Sequence, residues 1–373
     1  MAPVIEALER EDRVSSMLCA TGQHADMLDQ ALSAFGLSPD FNLNVMKENQ
    51  SLSRLTARIL DGMTSVLTRE KPDLVLVHGD TATTFAASLA AYYEKLPVAH
   101  VEAGLRSGDM DSPWPEEANR RMVGLLAAHH FAPTSNAHKN LMSEGVPDDK
   151  ITVTGNTVID AVFSALERLN KNPALRLPVL RNLMDVDLSK RIVLVTAHRR
   201  ESLGTGLRHI CQAVAKLAQA FPDVQFVFPV HTNPKVSEPV RVALSGYRNI
   251  ATIPALDYLT FVYLLSRSTL VMTDSGGIQE EAPSLGVPVL VMRDKTERVE
   301  AIASGTAILT GARPDVIFDN AAKLLTDKQV YMSMSRAENP FGDGRASQRI
   351  IQHLTKDLPC PAQNESRSLD WAM

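Results

Sequence analysis

Short apolar, β-rich runs alternate with longer helical stretches from one end of the chain to the other. In the first half the runs at 14–20, 73–78, 98–102, 130–133 and 151–154 read as strands, and 52–69 and 83–94 carry the spacing of helices. A second series of runs follows at 192–196, 225–229, 250–253, 269–273, 287–292 and 307–309. Strand and helix in strict alternation predict parallel sheets covered on both faces, so the fold class is α/β. The pattern divides into two doubly wound, Rossmann-like domains facing across a cleft, residues 1–158 and 159–344. A terminal helix at about 345–357 is expected to pack back on the first domain, with 358–373 as a polar tail. Open sheets of this kind bind ligands beyond the carboxyl ends of their strands, which gives weight to polar residues just after each strand.

Bulk properties narrow the partners. A chain of 373 residues exceeds a single core, and 45% hydrophobic against 22% charged residues suits two buried cores. The net charge of −5 comes without a basic block, which excludes nucleic acid as the expected partner. Cys19, Cys211 and Cys360 lie far apart, with neither metal-ligand spacing nor an even count for a disulfide framework. No apolar run approaches a membrane span and no signal-peptide pattern opens the chain, so a cytoplasmic location is expected. The pair His129-His130 reads as structural, no metal-ligand motif is present, and no Gly-x-Gly-x-x-Gly fingerprint points to a nicotinamide cofactor. Neither metal nor cofactor is expected.

Polar clusters stand at the ends of four predicted strands or just beyond. After 74–77 comes His78-Gly79-Asp80-Thr81, in which Asp80 and Thr81 either cap the next helix or face a ligand. After 98–101 comes Glu102-Ala103-Gly104-Leu105-Arg106, where Glu102 is either an acid aimed at a substrate or the ion-pair partner of Arg106. Two prolines stiffen 112–115 before a helix that starts near Glu116. Glu116 and Arg120, four apart, share one face of it, although an acid in a first turn also serves the helix dipole. After 192–195 comes Thr196-Ala197-His198-Arg199-Arg200, where His198 is a capping or core histidine or contacts a phosphate.

The run Thr273-Asp274-Ser275-Gly276-Gly277-Ile278-Gln279-Glu280-Glu281 marks a strand-to-helix turn. Two glycines let the backbone approach a ligand, the helix start offers free N–H groups to a phosphate or pyrophosphate, and Glu280 or Glu281 can reach sugar hydroxyls.

Together these clusters resemble the bacterial non-hydrolysing UDP-N-acetylglucosamine 2-epimerases, over nearly the whole chain. The resemblance is carried by Thr21-Gly22-Gln23-His24, Val77-His78-Gly79-Asp80-Thr81, His100-Val101-Glu102-Ala103-Gly104-Leu105-Arg106, Pro113-Trp114-Pro115-Glu116-Glu117-Ala118-Asn119-Arg120 and Thr154-Gly155-Asn156-Thr157-Val158-Ile159-Asp160. It continues through His198-Arg199-Arg200-Glu201-Ser202, the stretch 274–285, Val291-Met292-Arg293-Asp294 and Thr296-Glu297-Arg298. It implies a fold like that of the two-domain nucleotide-sugar glycosyltransferases and reversible inversion at C2 of UDP-N-acetylglucosamine, giving UDP-N-acetylmannosamine for surface polysaccharide. It also implies a homodimer. Asp80, Glu102 and Glu116 match the family's catalytic acids, and Arg120 and His198 its supporting residues. Phe261 matches the residue near the base, Ser275, Gly276 and Gly277 those at the diphosphate, Glu281 the ribose ligand and Arg298 a residue nearby.

Two departures accompany the resemblance. Family members usually begin with a strand and a loop bearing an Arg and a Lys directed at the substrate. This chain starts inside what should be the first helix, so neither basic role carries over, and a longer chain is expected to be the more stable and active form. Asp26 stands where members with a regulatory substrate site tend to carry glutamine, which bears on allosteric activation. The alternatives are a glycosyltransferase of similar fold, which needs an acceptor, and a non-catalytic nucleotide-sugar binding protein.

Overall fold

A computed structural model of the protein describes residues 1–22, 25–47, 50–197, 204–230, 234–356 and 358. Gln23, His24, the side chain of Asp26, residues 198–203 with His198, and 359–373 of the expected tail lie outside the described residues. The first half comprises α1 (Ala2–Glu9), β1 (Cys19–Ala20), α2 (Ala25–Phe35), β2 (Phe41–Asn42), α3 (Leu52–Glu70), β3 (Val75–His78) and α4 (Ala82–Tyr93). It continues with β4 (Val98–Val101), α5 (Glu116–Leu126), β5 (His129–Ala132), α6 (Ser135–Ser143), β6 (Ile151–Val153) and α7 (Thr157–Lys171). The second half runs α8 (Pro173–Asn182), β7 (Arg191–Thr196), α9 (Thr205–Ala220), β8 (Val224–Val230), α10 (Pro234–Leu244), β9 (Ile250–Pro254) and α11 (Tyr258–Arg267). It closes with β10 (Ser268–Thr273), α12 (Ile278–Ser284), β11 (Val289–Val291), α13 (Val299–Ala303), β12 (Ala307–Leu309), α14 (Pro314–Thr326), α15 (Lys328–Ser335) and α16 (Ala346–Thr355).

All strand pairs are parallel. β3-β4-β5-β6 form one sheet and β12-β11-β10-β7-β8-β9 another, with β1 and β2 as a separate pair. The larger sheet shows why a buried parallel strand reads as an unbroken apolar run. Along β7, Ile192 and Leu194 enter one core while Val193 and Val195 enter the other, because successive side chains leave a strand on opposite faces. Helices α7, α8, α11 and α12 cover the first face, and α9, α10 and α14 the second. Turns from strand to helix are closed by short polar caps: Thr81, Thr134 and Asn156 each accept a hydrogen bond from the first turn of the helix they precede.

The run at 14–20 does not form the strand its composition predicts; only Cys19–Ala20 pairs, with Phe41–Asn42. Residues 15–17 are exposed, and the Leu18 N–H donates to the Asp40 carboxylate at 2.7 Å instead of to a ladder. The basic, Pro-containing stretch after 170 folds as a helix. It is α8, started by the Asn172 cap and Pro173 at the first helical position, where the missing N–H costs nothing.

The chain crosses twice between the two sheets. The Asn156 N–H donates to the Phe341 carbonyl at 2.6 Å, and Gly155 and Gly342, both at positive φ, meet back to back. A Cβ on Gly155 would lie 3.2 Å from Gly342 Cα, so only glycine permits this approach. The Asp160 carboxylate accepts from the Ala346 and Ser347 N–H groups at 3.1 and 2.8 Å and so starts α16. Ile350 and Ile351 of that helix then share a core with Val4, Ala99, Val101 and Phe131.

Candidate active site

Parallel strands deliver their carboxyl ends to one edge of each sheet. After β3, Thr81 takes the cap of α4, its Oγ1 accepting from the Thr84 N–H at 3.4 Å, and Asp80 is left out of capping. The Arg120 guanidinium instead donates to the Asp80 carboxylate, Nε at 3.1 Å and Nη2 alongside, while Asn119 Nδ2 holds the Asp80 carbonyl at 2.9 Å. Burial raises the Asp80 pKa and Arg120 works against it.

Glu117, not Glu116, fixes Arg120. Fully buried, Glu117 accepts from Arg120 Nη1 at 3.1 Å, from the Ser107 N–H at 3.0 Å and from Arg121 Nε at 3.2 Å. Burial opposes its ionisation, but the Ser107 N–H and the two guanidiniums outweigh that and hold it below the usual carboxylate range. Glu116 opens α5 half-buried, with no hydrogen bond or ion pair among the described residues. Sharing a helix face with Arg120 does not make it a partner, because Arg120 turns toward its i−3 neighbour and Asp80.

Glu102 follows β4 at φ +65°, a left-handed conformation that costs a non-glycine residue roughly 1–3 kcal/mol and persists only where its surroundings over-determine it. They do so here. The Ala103 N–H is bound to Phe131 and the Gly79 N–H to Val101, each at 3.0 Å. The Glu102 carboxylate accepts from Asn156 Nδ2 at 3.2 Å and lies 3.5 Å from His78 Nε2. Burial pushes the His78 pKa down to about 3, so that contact carries no ion pair near neutrality. The ion pair with Arg106 does not form, since Arg106 is held two-pronged by Glu144 at 2.8 and 2.6 Å.

In the larger sheet the strand order reverses direction between β7 and β10, the switch point at which doubly wound sheets open a ligand crevice. Thr196 and Thr273 end these two strands in register, their hydroxyls 2.6 Å apart. After Thr273 the turn is tied down. The Ser275 N–H donates to Thr273 Oγ1 at 2.9 Å, Gln279 Nε2 donates to the Ser275 carbonyl at 3.0 Å, and Thr296 Oγ1 donates to Gln279 at 2.7 Å. A Cβ on Gly276 would lie 3.0 Å from Glu297 Oε1 and 3.4 Å from Arg298 Cζ, whereas one on Gly277 would enter open space. Phe261, half-buried on α11, packs against the adjoining core.

Arg298 donates from Nε to Glu280 at 2.8 Å and from Nη1 to Glu297 at 2.9 Å. Burial alone would lower the Arg298 pKa, but Glu280, Glu297 and Glu102 raise it above its ordinary value. Buried Glu280 accepts from Asn156 Nδ2 at 2.5 Å, and burial raises its pKa with Glu102 adding to the effect. Burial, followed by the Glu280 charge, pushes Glu281 up to about 7. Asn156 Nδ2 reaches Glu102 at one sheet edge and Glu280 at the other, at 3.2 and 2.5 Å, so the two edges meet there.

The family profile of UDP-N-acetylglucosamine 2-epimerase matches residues 6–355. The chain belongs to that family. It is 54% identical to the UDP-N-acetylglucosamine 2-epimerase of Yersinia pestis over 354 residues, covering 95% of this chain and 94% of that one. The Neisseria meningitidis UDP-GlcNAc 2-epimerase, solved bound to UDP-GlcNAc, superposes with a TM-score of 0.88 at 48% identity, covering 96% of each chain. The Methanocaldococcus jannaschii enzyme, solved with UDP-GlcNAc and UDP, matches at 33% identity with a TM-score of 0.78 over 95% of each chain. The two Rossmann-like domains expected from the strand pattern are the fold of these epimerases.

Two residues of the candidate site have no assigned role in the sequence reading, Asn156 and Glu117, and Glu280 stands there only as an alternative to Glu281 for the sugar hydroxyls. Asn156 had a legible signal, since it follows a strand end just as Asp80 and Glu102 do. Glu117 and Glu280 sit beside Glu116 and Glu281, and sequence does not say which of two adjacent acids turns inward. Among the described residues no group of three or more His, Cys, Asp or Glu side chains is arranged to hold a metal, and no helix is long and apolar enough to cross a membrane.

Proposed function

We propose that this chain inverts C2 of UDP-N-acetylglucosamine reversibly, giving UDP-N-acetylmannosamine for bacterial surface polysaccharide. The observation that carries the reading is the joining of Glu102, at the end of β4 beside β3 and Asp80, through Asn156 to Glu280, which Arg298 holds just after the Ser275 turn at the switch point of the other sheet. In this reading residues 1–158 bear the acid and base groups and 159–344 the nucleotide site. A C2 hydrogen is a very weak acid, so its removal needs a base in fixed position and stabilisation of the departing diphosphate. Loss of the C2 proton and cleavage of the C1–O bond to UDP form a C1=C2 double bond. Return of a proton to the opposite face and of UDP to C1 completes inversion. Asp80, Glu102 and Glu116 serve as the acids and bases, with Arg120 orienting Asp80. Ser275, Gly276, Gly277 and His198 attend the diphosphate, Glu281 the ribose with Arg298 nearby, and Phe261 the base.

The test is incubation with UDP-N-acetylglucosamine alone in deuterated water. The expected product is UDP-N-acetylmannosamine with deuterium at C2. Complete retention of the original hydrogen would rule out proton exchange, and no product without an added acceptor would favour a glycosyltransferase.

The assembly is a homodimer. Tyr92 and Tyr93 end α4 and Leu125 lies in the last turn of α5, its packing partner, with 59%, 61% and 84% of their surface exposed, apolar side chains that a second copy would cover. Light scattering is expected to give twice the chain mass; a single-chain mass at assay concentration would refute the dimer. The free thiols of Cys19 and Cys211 support a reducing cytoplasm.

A further inference from the structure

Asn156 joins the two halves of the site through one side chain. Its Nδ2 donates to Glu102 Oε2 at 3.2 Å and to Glu280 Oε2 at 2.5 Å, one carboxylate from each sheet edge. Its Oδ1 accepts from the Val158 N–H at 3.2 Å as the cap of α7, and its own N–H donates to Phe341 at 2.6 Å. The residue is 3% exposed. With the amide oxygen committed to the helix, the amide nitrogen has one direction left, toward the two acids. Glu280 is fixed from its other side by Arg298, so the carboxamide sits on a rigid anchor. Among the described residues Glu102 has no comparable second donor, because Arg106 is taken by Glu144 and His78 stands 3.5 Å away.

We propose that Asn156 is a positioning residue that orients the Glu102 carboxylate for proton transfer and ties it to the nucleotide-side pair Glu280–Arg298. The inference rests on the reading of Glu102 as an acid–base group. Asn156 touches neither reacting atom in this account; it acts through Glu102. The rotational freedom that Glu102 gains without this donor misaligns it with the C2 proton, and reaction rates fall steeply with small displacements.

The test uses Asn156→Ser, which keeps a hydroxyl to cap α7 but is too short to donate to both acids. A fall in kcat of about tenfold to a hundredfold is expected, with KM changed less than threefold. Asn156→Asp, which also caps, should fall further because a third carboxylate replaces the shared donor. A two-residue cycle decides whether Asn156 acts through Glu102: in a Glu102→Gln background, Asn156→Ser should cost little additional rate. Full additivity in that cycle, or an Asn156→Ser kcat equal to the parent's, would overturn the positioning role. Retained turnover in Glu102→Gln alone would instead overturn the acid–base reading on which it rests. Thermal melts of both Asn156 variants check that the fold survives. A variant that loses rate only together with a collapsed melt counts against positioning and for a structural role only.

Discussion

Glu102→Gln is expected to lower kcat by about a hundredfold or more while the affinity for UDP changes little, as for loss of a general acid or base. The amide fills the same volume and can occupy the same left-handed position, so the loss reports on chemistry and not on folding. UDP affinity should hold because the nucleotide contacts attributed to Ser275, Gly276, Gly277 and Glu281 are supplied by the other sheet edge. The measurement is steady-state epimerisation beside calorimetric UDP binding. Near-parent turnover would remove Glu102 from the mechanism. With Arg106 committed to Glu144, an ion pair to Arg106 would not then be available to explain the residue, and its strained backbone would have no functional account.

Gly104→Ala should be the most damaging small substitution near the site. Gly104 sits at φ +89°, and an added Cβ would fall 2.3 Å from the Ala137 carbonyl oxygen, a backbone atom in the first turn of α6 that has no rotamer to yield. The left-handed penalty and the overlap together are expected to cost about 3 kcal/mol or more, and to lower Tm by about 10 °C. Because Gly104 follows Glu102 by two residues and its carbonyl holds Asn140 Nδ2 at 2.9 Å, the displacement should reach the carboxylate and reduce kcat even at temperatures where the chain stays folded. Gly108→Ala is the control: φ is +78° but an added Cβ meets nothing, so only the conformational cost, about 1 kcal/mol, remains. Equal melting temperatures for the two variants would show that α6 moves aside freely.

The alternation of apolar runs with amphipathic stretches determined the class, the two parallel sheets and most strand positions, because a strand buried on both faces must be apolar throughout. Residues 192–196 and 269–273 show this plainly. Strand ends therefore point to Asp80, Glu102 and the Ser275 turn. The run at 14–20 was apolar enough to read as a strand, but strand formation needs a hydrogen-bonding neighbour along its length, which composition does not encode. Strand order was not legible either. That β7 lies beside β10, and so puts Thr196 next to Thr273, depends on how distant segments pair. The same limit applied to adjacent acids. Glu116 and Glu117, or Glu280 and Glu281, carry identical chemistry, and only packing decides which carboxylate is buried against a guanidinium. Asn156 is the clearest case: its sequence position announces a helix cap, while its second task exists only because the fold brings Glu102 and Glu280, 178 residues apart in number, to the two sides of one amide.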